Sequence, residues 1–455
     1  MKKRIIALAI LSAFSVSAYA ASEALVVQDG SLNNAQVTQT DNITPTYASV
    51  HQTGTSNQAD VSQEQGNDTT ALVNSIGNGN QASVVQDNAW WVDATIQQNG
   101  NQNNARIVQD EMPPLYADRS AAVIEQGGNL NTATINQIGT LPFPSTPGTG
   151  VQASVLQQGS SNTALINQTG NSPNATARIE QVNGELGSSA EIGQTGPDNH
   201  AYILQEGGWG NQAKAFQQGT GNSASIRQTG WTWFANALIN QNGTTNTASV
   251  VQSDIADSSH ATVNQNGTSN SAEVTQTLLN FGGVVQVDQN GLGNTAGVMQ
   301  TSSSGAFAGV NQVGELNSAT IGQTNSPYSW ALIEQFANDN TATISQNGAV
   351  SAQARVTQLS DNNTALIQQG ASLMVKALIR QEGGTGNNGT VTQTGEYNDA
   401  SILQNGTNNV ATITQSGVGT AALPNVAIAD QGGTGHLANI VQSGGAGNYA
   451  KVLQR

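Results

Sequence analysis

Across 455 residues the chain carries only 9% charged and 4% aromatic residues, no cysteine and a formal charge of −16. A conventional globular core needs more large apolar side chains than this, no disulfide scaffold can form, and an acidic surface disfavours nucleic acid or anionic membrane as a partner. Gly, Asn, Gln, Ser, Thr and Ala fill much of the remainder, so residue order has to decide between disorder and repeat.

The chain opens on Met1-Lys2-Lys3-Arg4, a mostly apolar run from Ile5 to Phe14 and the small-x-small triplet Ala18-Tyr19-Ala20. This pattern predicts a secretory signal peptide over residues 1–20, too short for a membrane anchor. Its removal takes Lys2, Lys3 and Arg4 and moves the formal charge from −16 to −19. No later apolar run approaches membrane-spanning length, so no membrane span is expected after cleavage.

From Ala24 a single pattern begins and continues to the C-terminus. Gln28, Gly30, Asn33, Ala35 and Gln39 stand at the same spacing as Gln265, Gly267, Asn270, Ala272 and Gln276. Both segments obey Q-x-G-x-x-N-x-A-x-x-x-Q. The pattern returns in full at Gln52 (with Asn57 and Gln63), Gln98, Gln126, Gln157, Gln194, Gln217, Gln241, Gln289, Gln312, Gln393 and Gln404 (with Asn409 and Gln415). Ser75, Gln335, Gln358 and Gln431 open variants that each change one fixed position. On both sides of the Gly/Asn segment lies a half-unit, Ala-x-(Val/Ile)-x-Gln, whose period of two predicts a strand. Gly and Asn supply the bent backbone of a tight arc between strands.

Alternation also predicts which side is buried. Asn33, Ala35, Val37 and Gln39 share one parity and hence one face. Arg106, Glu125, Arg178, Glu180, Glu191, Lys214, Arg227, Glu273, Glu334, Arg355, Arg380 and Lys451 all take the opposite parity. Burying one unpaired charge costs several kcal/mol, so this segregation marks an interior of Ala, Val/Ile, Gln and Asn. The predicted fold is all-β, a two-sheet β-solenoid of about 17–18 stacked strand–arc–strand repeats, forming one repeat domain over residues 21–455. In such a fold a buried Gln stacks on the Gln of the next turn, and its amide both donates and accepts along the axis. The pairing of half-units is ambiguous between Gln205 and Gln241, where an odd strand is expected to shift the register.

Connectors between units vary in length, and in a solenoid such variation is expected on one edge. They collect aromatic residues: Trp90, Trp91, Tyr116, Phe143, Trp231, Trp233, Phe234, Phe281, Tyr328 and Trp330. These residues either fold over the solenoid edge and cover it, or form an adhesive or lateral-contact edge. Catalytic chemistry has no visible seat. His51, His200, His260 and His436 lack metal-ligand spacing, no nucleophile or phosphate-binding motif stands in its proper context, and acidic residues are read as scattered outward. No catalytic site, metal or cofactor is expected, and an enzyme carried on a solenoid is disfavoured.

The five-position repeat closely resembles the curlin repeat of curli fibre subunits in Gram-negative bacteria, over nearly all of the chain after residue 20. The resemblance implies a secreted, cell-surface structural subunit that assembles into extracellular amyloid fibres, supporting adhesion, cell aggregation and biofilm matrix. It further implies self-association into a homopolymer, contact with other curlin-type subunits or a nucleator, and export by outer-membrane curli-type machinery. Gln28, Asn33, Gln39, Gln52, Asn57, Gln63, Gln265, Asn270, Gln276, Gln404, Asn409 and Gln415 would correspond to the family's interior ladder residues. Two features depart from the family's better-known members: this chain has many more repeats, and no Gly-rich segment precedes the first one. The competing reading is a cell-surface β-solenoid adhesin or fibre nucleator that binds through Trp90, Trp91, Trp231, Trp233, Phe234 and Trp330. Ice binding would want regular outward Thr arrays, and the outward positions Gln36, Thr38, Asp60, Ser62, Arg106 and Val108 are irregular.

Overall fold

The computed structural model describes residues 22–112, 120–139, 150–170, 172–255 and 257–455. It is all-β, with no helix among the described residues. The first turn consists of β1 (Glu23–Ser31) and β2 (Asn34–Thr40), and the second of β3 (Tyr47–Thr55) and β4 (Gln58–Glu64). β1 pairs with β3 in parallel, and β2 with β4. Ala24 therefore stands opposite Ala48, Val26 opposite Val50, Gln28 opposite Gln52 and Gly30 opposite Gly54. Each later turn adds one strand to each of two parallel sheets, always with like residues in register. That is the expected β-solenoid.

Two compact units are present, Met1–Gly230 and Trp231–Arg455. Among the described residues the first contains eight complete turns and the single strand Ser223–Thr229. The described residues of the second open on the strand Asn236–Thr244 and make nine complete turns, ending with Tyr449–Gln454. In each unit the core is a thin layer of Ala and Val or Ile, and its largest fully buried side chains are isoleucines such as Ile96, Ile166 and Ile239. Alanine lets the two sheets approach while the β-branched residue fills the gap between them. The predicted parity holds along the strands: Ala59, Val61 and Gln63 are buried, while Asp60 between them is exposed.

The arc explains its glycine. Gly54 has φ +118°, and a Cβ there would lie 2.0 Å from the carbonyl oxygen of Gly77 in the next turn. The same close approach recurs from Gly30 to Gly128. Glycine is required both for the backbone angle and for the spacing between turns.

Two expectations need correction. The odd strand is Thr176–Val182, upstream of the predicted region. Before it, the tight arc leads from the first sheet to the second, as in β1 to β2. After it, in the same unit, the arc after Gln194 leads from the second sheet to the first, joining Ser189–Thr195 to His200–Glu206. The sheet register is undisturbed, because Ala177 still stands between Ala153 and Ala201. The two half-units are chemically alike, so an extra one moves the arc to the other edge without penalty. As a consequence the irregular connectors do not keep to one edge: residues 41–46 and 183–188 lie on opposite ones. The second correction concerns acids, which are not all outward. Glu185 is 0% exposed.

Candidate assembly interface: the amide ladders

The inward glutamines form columns of side-chain hydrogen bonds, one per sheet. In the first sheet Gln98 Nε2 donates to Gln126 Oε1 (3.0 Å), Gln126 to Gln157 (2.9 Å), Gln157 to Gln181 (2.8 Å) and Gln181 to Gln205 (2.7 Å). In the second, Gln39 donates to Gln63 (2.8 Å), Gln63 to Gln86 (2.8 Å) and Gln86 to Gln109 (2.9 Å). The other unit repeats this. Gln265 donates to Gln289 (2.8 Å), Gln276 to Gln300 (2.8 Å), Gln404 to Gln431 (3.0 Å) and Gln415 to Gln442 (2.7 Å). Every such bond runs from an amide nitrogen to the oxygen of the following turn. Beyond Gln28, whose amide nitrogen bonds to Gln52 alone, the second N–H goes to a backbone carbonyl, as Gln63 Nε2 does to Tyr47 O (3.2 Å).

Asparagines form a second column inside the arcs. Asn57 Nδ2 donates to the carbonyl of Gly77 in the next turn (2.8 Å), while its Oδ1 accepts from the backbone N–H of Asn80 (3.1 Å). Asn33 and Asn270 hold the same place, donating to Gly54 O (3.1 Å) and Gly291 O (3.1 Å), and Asn409 donates to Gly433 O (3.2 Å). Buried amides satisfied in this way have no desolvation penalty left uncompensated. The glutamine column has one gap. Ser75 replaces Gln and donates to Gln98 Oε1 (2.9 Å), and Gln52 Nε2 is bonded instead to Asn34 O (3.1 Å).

All twelve ladder residues named from the sequence therefore lie in these columns. Gln28, Asn33 and Gln39 belong to the first turn and are half-buried, whereas Gln52, Asn57 and Gln63 in the second are buried. The aromatic residues are more scattered. Trp90 and Trp91 are half-buried in a connector of the first unit. In the second unit Trp231 is 76% exposed, with Trp233 and Phe234 also exposed. Trp330 opens a strand and stacks on Phe307 at 6.0 Å. Tyr116 and Phe143 lie outside the described residues.

Sequence reasoning missed two features. Trp209 is exposed in a connector and bridges to Leu186, the only signal being its Gly-Gly-Trp-Gly setting. Glu185 accepts from the Ser188 hydroxyl, from the Gly208 N–H (2.7 Å) and from Asn211 Nδ2 (3.1 Å). Desolvation raises its pKa despite these three donors. Outside the core, charges pair between turns, as Lys214 does with Glu191 (2.9 Å) and Arg355 with Glu334 (2.7 Å). Among the described residues no group of three His, Asp or Glu is placed to hold a metal ion.

A family model, the curlin associated repeat, matches residues 384–417. This segment contains Gln393, Gly395, Asn398, Ala400 and Gln404, one full copy of the pattern that recurs through both units. The chain carries a curlin repeat at this segment. The matched curlin repeat joins the strands Asn388–Glu396 and Asn398–Thr407, and its Gln393 and Gln404 stand in the two glutamine columns. No curated protein matches the chain.

Proposed function

We propose that the chain is a structural subunit of extracellular, curli-like amyloid fibres, in which copies stack turn upon turn and support adhesion, aggregation and biofilm matrix. One observation carries this reading: the columns stop at both described ends with hydrogen-bonding capacity unused. No described donor reaches Oε1 of Gln28 or of Gln39, although each amide nitrogen is bonded, to Gln52 (2.7 Å) and Gln63 (2.8 Å). In the last turn, Gln442 and Gln454 each use one N–H on a backbone carbonyl (2.9 and 3.0 Å), leaving the other without a partner. β1, β2 and the last two strands are also sheet edges among the described residues. An unpaired strand edge beside a row of open amides is a template for another copy. The basic, apolar N-terminus supports secretion, and curlin relatives imply export through outer-membrane machinery and partnership with other curlin-type subunits.

The test is direct. Purified chain should polymerise, bind amyloid dyes and give fibre reflections near about 4.8 and 10 Å. Persistence as a soluble monomer, even with seeds, refutes the proposal. A second reading, adhesion or nucleation through an aromatic edge, draws on the exposure of Trp231, Trp233 and Phe234. Replacing these three by Ser distinguishes the two: lost attachment with intact fibres favours adhesion.

A further inference from the structure

We propose that Asn183 is a site of spontaneous covalent change: its side-chain amide deamidates through a cyclic imide with the Gly184 nitrogen, and the product loosens the connector that holds the buried Glu185. The chain contains nine Asn-Gly dipeptides, and glycine leaves its own nitrogen least hindered for attack on the preceding side chain. The fold treats the nine unequally. Gly100, Gly243, Gly267, Gly291 and Gly389 lie inside paired strands. Gly79, Gly348 and Gly406 donate their N–H groups to Thr55 O (2.9 Å), Thr324 O (2.9 Å) and Gly383 O (3.0 Å). Gly184 does neither. It follows the strand Thr176–Val182, and its N–H has no acceptor among the described residues.

Space separates it too. A Cβ on any of the other eight glycines would meet an atom within 3.6 Å, whereas one on Gly184 would meet nothing within 4 Å. Asn183 and Gly184 are both exposed, at φ +55° and +87°, in a bend closed by the Glu185 N–H donating to Val182 O (3.4 Å). The Gly184 nitrogen can therefore turn toward the Asn183 side chain without breaking a hydrogen bond of its own.

The step needs no partner but water. The Gly184 nitrogen gives its proton to solvent and bonds to Asn183 Cγ; the Cγ–Nδ2 bond breaks, and Nδ2 takes up a proton and leaves as ammonia. Water then opens the imide at either carbonyl, leaving an aspartyl or an isoaspartyl link. Asn183 Nδ2 donates to Glu206 Oε1, so the aspartyl product sets one carboxylate against another. The isoaspartyl link lengthens the main chain just before Glu185. The Glu185 carbonyl accepts from Asn162 Nδ2 (2.9 Å) and its carboxyl from the Gly208 N–H (2.7 Å), contacts that depend on the length of the bend. All of this takes place within one chain and does not require assembly.

The test incubates the full-length chain in warm, mildly alkaline heavy-oxygen water, and peptide mapping by mass spectrometry measures the heavy oxygen gained at each Asn-Gly. In the folded chain Asn183 should convert at least about tenfold faster than Asn266, and in denaturant the two should convert at similar rates. Equal rates in the folded chain, or a lead for Asn183 that persists undiminished in denaturant, overturn the proposal. The consequence is read separately, by hydrogen exchange at the Gly208 amide. Its protection should fall as wild type ages and hold in Asn183→Gln, whose longer side chain closes a ring far more slowly; circular dichroism checks that this variant folds. An equal fall in both would refute the loosening of the connector.

Discussion

Replacing Gln276 by Glu alters one ladder rung while keeping its shape. Gln276 is 0% exposed, accepts from Gln252 Nε2 (2.8 Å) and donates to Gln300 Oε1 (2.8 Å). A carboxylate can still accept from Gln252 but opposes its own oxygen to Gln300 Oε1. A protonated carboxyl restores the donor. At pH 7 the variant must therefore either bury a charge or take up a proton against an ordinary Glu pKa of about 4.3. At about 1.4 kcal/mol per pH unit, that uptake costs about 4 kcal/mol. Gln276→Leu also loses the ladder bonds and leaves buried partners unsatisfied, at about 3–5 kcal/mol, with no dependence on pH from this site. Because stability in a repeat array is local, the assay is hydrogen exchange of amides in the adjoining turns, with protection compared at pH 4 and pH 7. The Glu variant should approach wild type at pH 4 and lose protection by pH 7, while Leu is weakened at both. Full protection of the Glu variant at pH 7 would show that the column is not a buried, obligatory donor chain.

Three further perturbations probe other parts of the architecture. Gly267→Ala, whose Cβ would lie 2.1 Å from Gly291 O at φ +117°, should destabilise its turn by more than about 2 kcal/mol in chemical denaturation; Gly297→Ala, with open space around it, should not, and equal effects would refute the spacing argument. Ser75→Gln should close the gap between Gln52 and Gln98 and stabilise its turn by about 1 kcal/mol in the same assay, whereas a loss of stability would mean that the site is too small. Glu185 has its pKa raised in the fold, so its contribution is fully present below the ordinary carboxyl value of 4.5 and is lost as pH rises through the higher folded value. Protection of the Gly208 amide, which donates to this carboxyl, should then increase as pH falls from 7 towards 4.5; unchanged protection would contradict the raised value.

Much of this was legible in the sequence because strands alternate and charges are expensive to bury. Arg106, Glu273 and Lys451 all avoid the parity of Ala, Val and Gln, which identifies the interior without any structure. The odd strand was misplaced because Thr176–Val182 and its neighbours share the same half-unit, so spacing alone cannot assign a strand to a sheet. Glu185 escaped because parity applies only within strands. It sits in the connector 183–188, where burial depends on how the chain turns and which donors converge.

The direction of the glutamine columns was also beyond the sequence. An isolated amide stack could run either way along the axis, since each group both donates and accepts. The backbone removes that freedom. Gln415 Nε2 reaches the Asp399 carbonyl at 3.2 Å as well as Gln442 Oε1 at 2.7 Å. Gln404 Nε2 likewise reaches the Asn388 carbonyl at 3.0 Å and Gln431 Oε1 at 3.0 Å. Turning over one such amide would set its oxygen against a carbonyl oxygen and oppose like groups to both neighbours in the column. Both column bonds and the backbone contacts would be lost to reverse one residue, so reversal must involve the whole column or none of it. The fixed position of the carbonyls, set by the coiling of the backbone, thus selects a single polarity in each unit. That polarity leaves acceptors open at the first turn and donors open at the last.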